Sequence, residues 1–310
     1  MNVLITGAAG YIGSILTPML LENGHKVTAI DNFMYRQNSL LQLCHNKNFN
    51  IIKGDVRNSS MLKEQVSKAD IIIPLAAIVG MPACNNNPSL AKEVNQDAIQ
   101  NIIKFKSKEQ IVLFPNTNSG YGQGEGALFT EENVLNPISV YGVTKVEAEK
   151  SVLNADNTIV FRLATVFGAS PKMRLDLLVN DFTYKAWNDR YIILFEAHFI
   201  RNYVSVHDVA KLFNWSIDNF DITKNQIFNF GLSNANLSKY DLCKKIQSIL
   251  PDFHITVTDI GTDPDKRNYM VSNEKIEKFG FKAEISVEDG IQELLKSFQI
   301  IQPNIYSNII

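Results

Sequence analysis

The stretch that decides the fold is Thr6-Gly7-Ala8-Ala9-Gly10-Tyr11-Ile12-Gly13, between an apolar run and a segment of helical length. Glycines in such a turn allow a tight bend, close approach of backbone N–H groups to a pyrophosphate, and close packing of helix on strand. The helix N-terminus adds a partial positive charge. The GxxGxxG spacing is one residue off the GxGxxG dinucleotide fingerprint, so a purely structural glycine turn remains an alternative at this point. The turn predicts cofactor contacts from Gly7, Gly10, Tyr11, Ile12 and Gly13.

The rest of the chain alternates between apolar runs of strand length and amphipathic stretches of helical length. Runs that are apolar throughout are typical of strands covered on both faces, and strand–helix alternation implies right-handed crossovers. We therefore expect an α/β fold of the Rossmann type: a doubly wound parallel sheet with helices on both faces and a smaller C-terminal lobe. The expected strands are Val3–Thr6, Lys26–Ile30, Asn50–Ile52, Asp70–Leu75, Gln110–Phe114, Thr158–Leu163, Tyr203–Val206 and Gln226–Phe230. The expected helices include Tyr11–Glu22, Ser60–Ser67, Ala91–Phe105, Val140–Leu153, Met173–Asp189 and Val287–Phe298.

The predicted lobes are interleaved, because no Gly/Ser-rich linker separates them. Residues 1–168 and about 203–231 are assigned to a dinucleotide-binding domain. Residues 169–202 and 232–310 are assigned to a substrate-binding lobe.

Composition narrows the class of partner. The 310 residues are 45% apolar and 20% charged, with 30 Lys plus Arg against 32 Asp plus Glu, so the net charge is −2. Such a balance gives no strong field for nucleic acid or an anionic membrane. The cysteines are Cys44, Cys84 and Cys243, with no metal-ligand spacing, so reduced thiols and no metal site are expected. No secretory pattern or membrane-length apolar run is present, and we expect a cytoplasmic protein.

Acidic and small residues follow the next predicted strands. Asp31 closes the second strand 18 residues after Gly13, where a carboxylate can accept hydrogen bonds from a ribose diol and would repel a 2′-phosphate. NAD is therefore favoured over NADP, although Arg36 is close enough in sequence to keep NADP open. Further predicted cofactor contacts are Asn32, Asp55, Val56, Leu75, Ala76 and Ala77.

A phenol and an amine lie four residues apart in Tyr141-Gly142-Val143-Thr144-Lys145, on one face of a predicted helix. A free tyrosine has a pKa near ~10, and a neighbouring cation together with a nicotinamide ring would lower it. Tyr141 could then take a proton from a substrate hydroxyl while hydride leaves the same carbon. Thr117 stands at the carboxyl end of a predicted strand, where open α/β sheets place their ligands.

The order of these motifs resembles the extended short-chain dehydrogenase/reductase family, the NAD-dependent epimerase/dehydratase group that acts on nucleotide sugars. The resemblance runs from Val3 to about Leu295. It implies that Thr117 is the catalytic hydroxyl, Tyr141 the base, and Lys145 the partner that lowers the pKa of Tyr141 and holds the nicotinamide ribose.

The resemblance also implies a set of substrate contacts. Arg162-Leu163-Ala164-Thr165 departs from the usual Arg-x-x-Asn, and Thr165 puts that sugar or diphosphate contact in doubt. Arginine suits the other positions because its planar fork meets phosphate oxygens in pairs. The implied substrate-binding residues are Val79, Asn118, Ser119, Arg174, Asn180, Arg201 and Arg267.

Members of this family share hydride transfer from the sugar C4 and then diverge. A 4,6-dehydratase needs an acidic pair after the catalytic threonine, and this chain has Asn118 and Ser119 there, so dehydration is disfavoured. Three stretches, around Val79, Thr117 and Arg174, look most like the GDP-D-glycero-manno-heptose C4 dehydrogenases of bacterial capsule heptose modification. That resemblance implies a GDP-linked substrate and a homodimer or higher homo-oligomer. An NAD-dependent nucleotide-sugar 4-epimerase remains the second interpretation, and a non-catalytic NAD-binding regulator the third.

Overall fold

A computed structural model describes residues 1–260 and 267–301, apart from the side chains of residues 125 and 126. Its largest sheet has seven parallel strands in the order β11-β7-β5-β4-β1-β2-β3. These strands are β1 (Asn2–Thr6), β2 (Lys26–Asp31), β3 (Phe49–Lys53), β4 (Ile71–Pro74), β5 (Ile111–Thr117), β7 (Thr158–Leu163) and β11 (Gln226–Phe230). The predicted Rossmann-type doubly wound sheet is confirmed.

Helices cover both faces of this sheet, which is why its central strands are largely apolar. One face packs against α1 (Gly13–Glu22) and α8 (Val206–Asp218), and the other against α2 (Ser59–Val66), α5 (Ala98–Phe105) and α6 (Val140–Leu153). Every residue of β4 and β7 is buried. Alternate side chains of a strand point to opposite faces, so each central strand contributes to both cores.

The remaining strands form three smaller sheets: β8 (Thr165–Phe167), β10 (Ile200–Ser205) and β12 (Asn236–Ser238); β9 (Tyr191–Phe195) with β13 (His254–Thr258); and β6 (Gln123–Phe129) with β14 (Asn268–Val271). The other helices are α3 (Met81–Asn86), α4 (Pro88–Lys92), α7 (Leu178–Asn188), α9 (Phe220–Thr223), α10 (Lys239–Ile249), α11 (Glu274–Lys278) and α12 (Val287–Ser297). Helix α7 packs on α10 and α12. None of the helices within the described ranges is both long enough and apolar enough to span a bilayer.

Two predicted helices differ from the structure. The helix expected over Met173–Asp189 begins only at Leu178, because local side-chain bonds hold the preceding segment out of helical geometry. Arg174 pairs with Asp176, and Asn180 Nδ2 donates to the Arg174 carbonyl at 2.8 Å. The helix expected over Ala91–Phe105 starts earlier, at Pro88, and widens into a π turn at Glu93–Asp97.

Candidate active site

A cleft of about 890 Å³ lies at the carboxyl ends of the central strands. The residues predicted to bind the cofactor all line it: Gly7, Gly10, Tyr11, Ile12, Gly13, Asp31, Asn32, Asp55, Val56, Leu75, Ala76, Ala77, Tyr141 and Lys145. The structure therefore brings together residues that are up to 138 positions apart in sequence. Open α/β sheets bind their ligands at this edge.

The glycine turn is built for close approach. Gly7 has φ +70°, and a Cβ there would lie 2.6 Å from the backbone of Ala76 on the neighbouring strand. A Cβ on Gly13 would lie 2.4 Å from the Ala8 carbonyl oxygen, so only glycine lets α1 start against the turn. A Cβ on Gly10 would meet only the Gly7 carbonyl, which leaves the cleft side clear. This cradle at a helix N-terminus fits the pyrophosphate of a dinucleotide.

Asp31 lies at the end of β2, and backbone hydrogen bonds fix the orientation of its carboxylate. Its Oδ2 accepts from the Ala9 backbone N–H at 3.0 Å, and its Oδ1 accepts from the Phe33 N–H at 2.8 Å. Burial raises the pKa of this carboxyl, and the backbone hydrogen bonds oppose the rise. Arg36 is exposed and does not line the cleft. The geometry favours a ribose diol over a 2′-phosphate at Asp31.

Asp55 lies further along the same edge, after β3. Arg57 holds its carboxylate through Nε (3.0 Å) and Nη2 (2.9 Å), and Arg57 also reaches Glu93 at 2.9 Å. The arginine lowers the pKa of Asp55, so this carboxyl stays ionised. Asp55 is thereby fixed as an acceptor where the sequence predicts an adenine contact.

Thr117, Tyr141 and Lys145 meet in the cleft. Thr117 ends β5, donates to Ser119 Oγ at 3.0 Å and accepts from the Ser119 N–H at 3.1 Å. Tyr141 and Lys145 lie on the first turns of α6, whose start is capped by Ser139 through the Gly142 N–H. Lys145 Nζ donates to the Pro115 carbonyl at 2.6 Å and sits 4.2 Å from the Phe114 ring centre.

Burial dominates the pKa values of two members of this trio. Burial raises the pKa of Tyr141 to about 12, and the cations that oppose this are Arg174 and Arg267. Burial also lowers the pKa of Lys145 to about 7, opposed by Glu149. That Lys145 and the nicotinamide ring together lower the pKa of Tyr141 stays a prediction.

Five of the seven predicted substrate residues line the cleft: Val79, Ser119, Arg174, Arg201 and Arg267. Arg174 is nearly buried and donates from Nη2 to Asp176 at 2.5 Å. Arg201 donates to the Ile200 carbonyl at 2.9 Å and lies 5.6 Å from the Tyr269 ring centre. Arg267 Nη1 donates to Ser119 Oγ, beside Thr117. Thr165 also lines the cleft. Three arginines in one cleft suit a diphosphate.

Asn118 and Asn180 are not brought to the cleft, contrary to prediction. Asn118 is 2% exposed, and neither polar atom of its side chain has a hydrogen-bond partner within the described residues. Asn180 is fully buried, accepts from the Gly168 N–H at 3.1 Å, and donates to the Arg174 carbonyl. Both side chains turn inward, so Asn180 can affect a ligand only by holding the segments that line the cleft.

The structure adds cleft residues that the motifs did not single out. Lys172 is buried and its Nζ lies 4.8 Å from the Tyr35 ring centre, which joins the second lobe to the loop after Asp31. Lys239, at the start of α10, donates to the Phe195 carbonyl at 2.9 Å. Neither lysine lies in a recognisable motif. The one indication in the sequence is that Lys172 lies two residues before Arg174, in Pro171-Lys172-Met173-Arg174.

Within residues 1–260 and 267–301, no cluster of three or more His, Cys, Asp or Glu side chains is arranged to hold a metal ion. The polar side chains of the cleft are hydroxyls, amides and cations, together with the carboxylates of Asp31, Asp55 and Asp176.

This fold and cleft define a class: dinucleotide-dependent enzymes with a Thr, Tyr and Lys at the carboxyl edge of a Rossmann-type sheet. The family model described as "NAD dependent epimerase/dehydratase family" matches residues 3–231, and the chain belongs to that family. NAD is therefore its cofactor, as predicted, and it is an enzyme of the nucleotide-sugar epimerase/dehydratase type.

Similar proteins cover nearly the whole chain. It is 25% identical over 305 residues to the low-salt glycan biosynthesis protein Agl12 of Haloferax volcanii, covering 94% of this chain and 96% of the relative. It is 25% identical over 309 residues to a putative UDP-glucose 4-epimerase of Methanocaldococcus jannaschii, covering 94% and 97%. The structure of UDP-glucuronic acid 4-epimerase from Bacillus cereus has a TM-score of 0.85 at 22% identity, covering 97% and 100%. This last likeness shows the shared fold.

Proposed function

We propose that the protein oxidises C4 of a nucleotide sugar, with Tyr141 as the base, Thr117 as the second hydroxyl on the reacting oxygen, and Lys145 as their cationic partner. One observation carries this proposal: the three side chains line one cleft together with the glycine turn and three arginines. In the proposal, the sugar lies at the three side chains while the glycine turn holds a dinucleotide and the arginines hold the diphosphate.

The residues of the chain divide the work of this step. When bound in this cleft, NAD would supply the hydride acceptor and a positively charged nicotinamide ring. Arg174 and Arg267 already favour the phenolate of Tyr141, whose burial otherwise raises its pKa to about 12. Thr117 Oγ1, held by Ser119, can donate to the sugar oxygen while Tyr141 removes the proton from it. Arg201 and Arg267 would hold the diphosphate, so that C4 of the sugar stays next to the hydroxyls of Thr117 and Tyr141.

The leading substrate is GDP-D-glycero-manno-heptose, oxidised to its 4-keto form for capsule heptose synthesis. Its support is the likeness of the stretches around Val79, Thr117 and Arg174 to that group of dehydrogenases. Dehydration is disfavoured because Ser119 is no acid and Asn118 is buried off the cleft. A UDP-hexose 4-epimerase is the second candidate, favoured by the similar proteins that carry 4-epimerase names.

Product analysis separates the candidates. The protein is incubated with GDP-heptose, UDP-glucose and UDP-glucuronic acid, and the sugars are identified by mass spectrometry and NMR. A 4-keto GDP-heptose or trapped reduced nicotinamide supports the dehydrogenase. A C4-inverted UDP-sugar without added reductase supports the epimerase. The absence of both a new sugar product and a spectral change in bound nicotinamide, with every nucleotide sugar, would refute C4 oxidation and favour the non-catalytic alternative.

A further inference from the structure

A buried ion pair lies directly behind the cleft. Glu149 on α6 is 2% exposed and Arg162 on β7 is 4% exposed. Arg162 donates to Glu149 Oε1 from Nη2 at 2.6 Å and from Nε at 3.2 Å, and Asn116 Nδ2 donates to Glu149 Oε2. Neither Glu149 nor Arg162 lines the cleft, so neither contacts a ligand there.

This cluster joins the elements that carry the three predicted catalytic side chains. Glu149 follows Lys145 by four residues and Tyr141 by eight, so all three share one face of α6. Asn116 stands between Pro115, whose carbonyl accepts from Lys145, and Thr117. In the β5–β7 register Asn116 is opposite Arg162. A single carboxylate is thus tied to the end of β5, to β7 and to the helix of the Tyr–Lys pair.

The cluster also sets the charge around Lys145. The ammonium group is buried against Phe114, and Glu149 is the anion that favours its protonated form. Arg162 Nη1 also contacts the Tyr121 hydroxyl at 3.0 Å and the Glu131 carbonyl at 3.1 Å. Lys275 is a further cation that interacts electrostatically with Arg162. Buried ion pairs contribute little net stability against an apolar replacement. A role in fixing the site explains the pair better than stability does.

We propose that Glu149 is a positioning residue: its carboxylate, clamped by Arg162 and Asn116, fixes α6 against the end of β5 so that Thr117, Tyr141 and Lys145 keep one geometry. This inference rests on the proposed function for its link to sugar oxidation.

The test compares Glu149→Gln with the matched control Glu147→Gln. Glu147 is on the same helix but pairs at the surface with Lys150 at 2.7 Å. Because Glu149→Gln leaves the Arg162 charge buried, the double variant Glu149→Gln/Arg162→Gln and the conservative variant Glu149→Asp are measured beside it. Circular dichroism verifies folding before kcat and KM are measured with nucleotide sugar across a pH series.

We expect kcat of Glu149→Gln and of the double variant to fall on the order of 10²-fold, as for a small misplacement of reacting groups, with KM little changed. The alkaline limb of the plot of kcat against pH should move to lower pH, because loss of the Glu149 carboxylate disfavours the protonated form of Lys145. Glu149→Asp should restore part of kcat. Glu147→Gln should behave as the parent.

A second readout does not require turnover. The rate at which acetic anhydride labels Lys145, followed against pH by mass spectrometry, should show Lys145 titrating at lower pH in Glu149→Gln than in the parent. A folded Glu149 variant with the kcat, pH profile and labelling of the parent would overturn the inference. If the parent oxidises no nucleotide sugar, the proposed function fails, and the labelling titration alone still decides whether Glu149 acts on Lys145.

Discussion

Tyr141 is a weak acid in the protein alone, and this sets what its chemistry requires. Its burial raises the pKa to about 12, while Arg174 and Arg267 pull the other way. A base of this kind works at neutral pH only if further positive charge arrives with the ligands. In the proposed reaction, the positively charged nicotinamide ring of NAD would supply this charge.

Replacement of the phenol tests this directly. Tyr141→Phe keeps the ring and removes the hydroxyl, so C4 oxidation should fall by roughly 10²- to 10⁴-fold, the usual contribution of a general base. The affinity for NAD, measured by calorimetry, should change little because the ring still fills the same space. Turnover within a few-fold of the parent would remove Tyr141 from the base role.

Lys145 makes a prediction about stability against pH. Its pKa is about 7 in the folded chain and near ~10.4 in an unfolded one, so the unfolded state binds more protons between these values. Stability therefore rises with pH across that window, because the burial cost of Lys145 is fully present below about pH 7 and is lost towards ~10.4.

Lys145→Met should relieve that cost. The variant should gain free energy of unfolding relative to the parent below about pH 7, and the gain should shrink as pH rises towards ~10. Urea unfolding at a series of pH values measures this gain in stability. The control is Lys150→Met, a substitution at an exposed position of the same helix. A stability difference between Lys145→Met and the parent that does not depend on pH would show that folding does not lower the pKa of Lys145.

We expect Asp31 to determine the preference for NAD over NADP. Asp31→Ala removes the acceptor for the ribose diol, and losing hydrogen bonds to a charged group costs about 1.5–3 kcal/mol each, so NAD affinity should fall by at least tenfold. The preference for NAD over NADP should narrow, as measured by the two dissociation constants. Asp31→Asn keeps the shape and removes the charge; an unchanged NAD-to-NADP ratio in both variants would contradict the diol contact.

At the scale of elements, the segment before α7 shows how side chains override helical pattern. Met173–Leu177 reads as helix, yet Arg174 pairs with Asp176 and its carbonyl is taken by Asn180. These interactions hold the Arg174 guanidinium in the cleft instead of on a helix surface. Asn180 also accepts from the Gly168 N–H, so one amide fixes two segments.

Asn180→Ala tests this bracing role. It leaves buried backbone groups of Gly168 and Arg174 without partners, which should cost about 1–3 kcal/mol of unfolding free energy. KM for the nucleotide sugar should rise because Arg174 loses its support. Asn188→Ala, an exposed asparagine on the same helix, should leave both thermal stability and KM unchanged. Equal effects in the two variants would argue against the bracing role.

At the scale of the whole molecule, the two parts of the cleft are joined by direct contacts. Tyr11, in the glycine turn, donates to the Gly168 carbonyl at 2.6 Å and accepts from Asn180 at 3.3 Å. Ser170 donates to the Tyr11 carbonyl at 2.8 Å. The turn that fits the pyrophosphate is thus held against the segment that leads to Arg174, which couples the cofactor half to the substrate half.

The sequence predicted the sheet and the cofactor half well, because both depend on local rules. Strand β4 is buried on both faces and is a continuous apolar run, and β7 is apolar except for Thr158 and Arg162. Gly7 is required by its positive φ, and both Gly7 and Gly13 are required by close contacts. The substrate half depends on packing that no local pattern encodes. Asn180 is turned inward by its hydrogen bonds, Lys172 and Lys239 reach the cleft from unpatterned segments, and the pKa of Tyr141 follows from burial created only by the fold.

Isotope tracing tests the central claim most directly. A nucleotide sugar deuterated at C4 is mixed with the enzyme and NAD in a single turnover, and the nicotinamide is analysed by mass spectrometry. We expect the deuterium in the coenzyme, at a level that falls in Tyr141→Phe along with the rate. Loss of the deuterium to solvent, or its retention on C4 with unchanged configuration, in a reaction that nevertheless converts the sugar would contradict C4 oxidation. Deuterium on a C4 of inverted configuration would instead indicate the 4-epimerase.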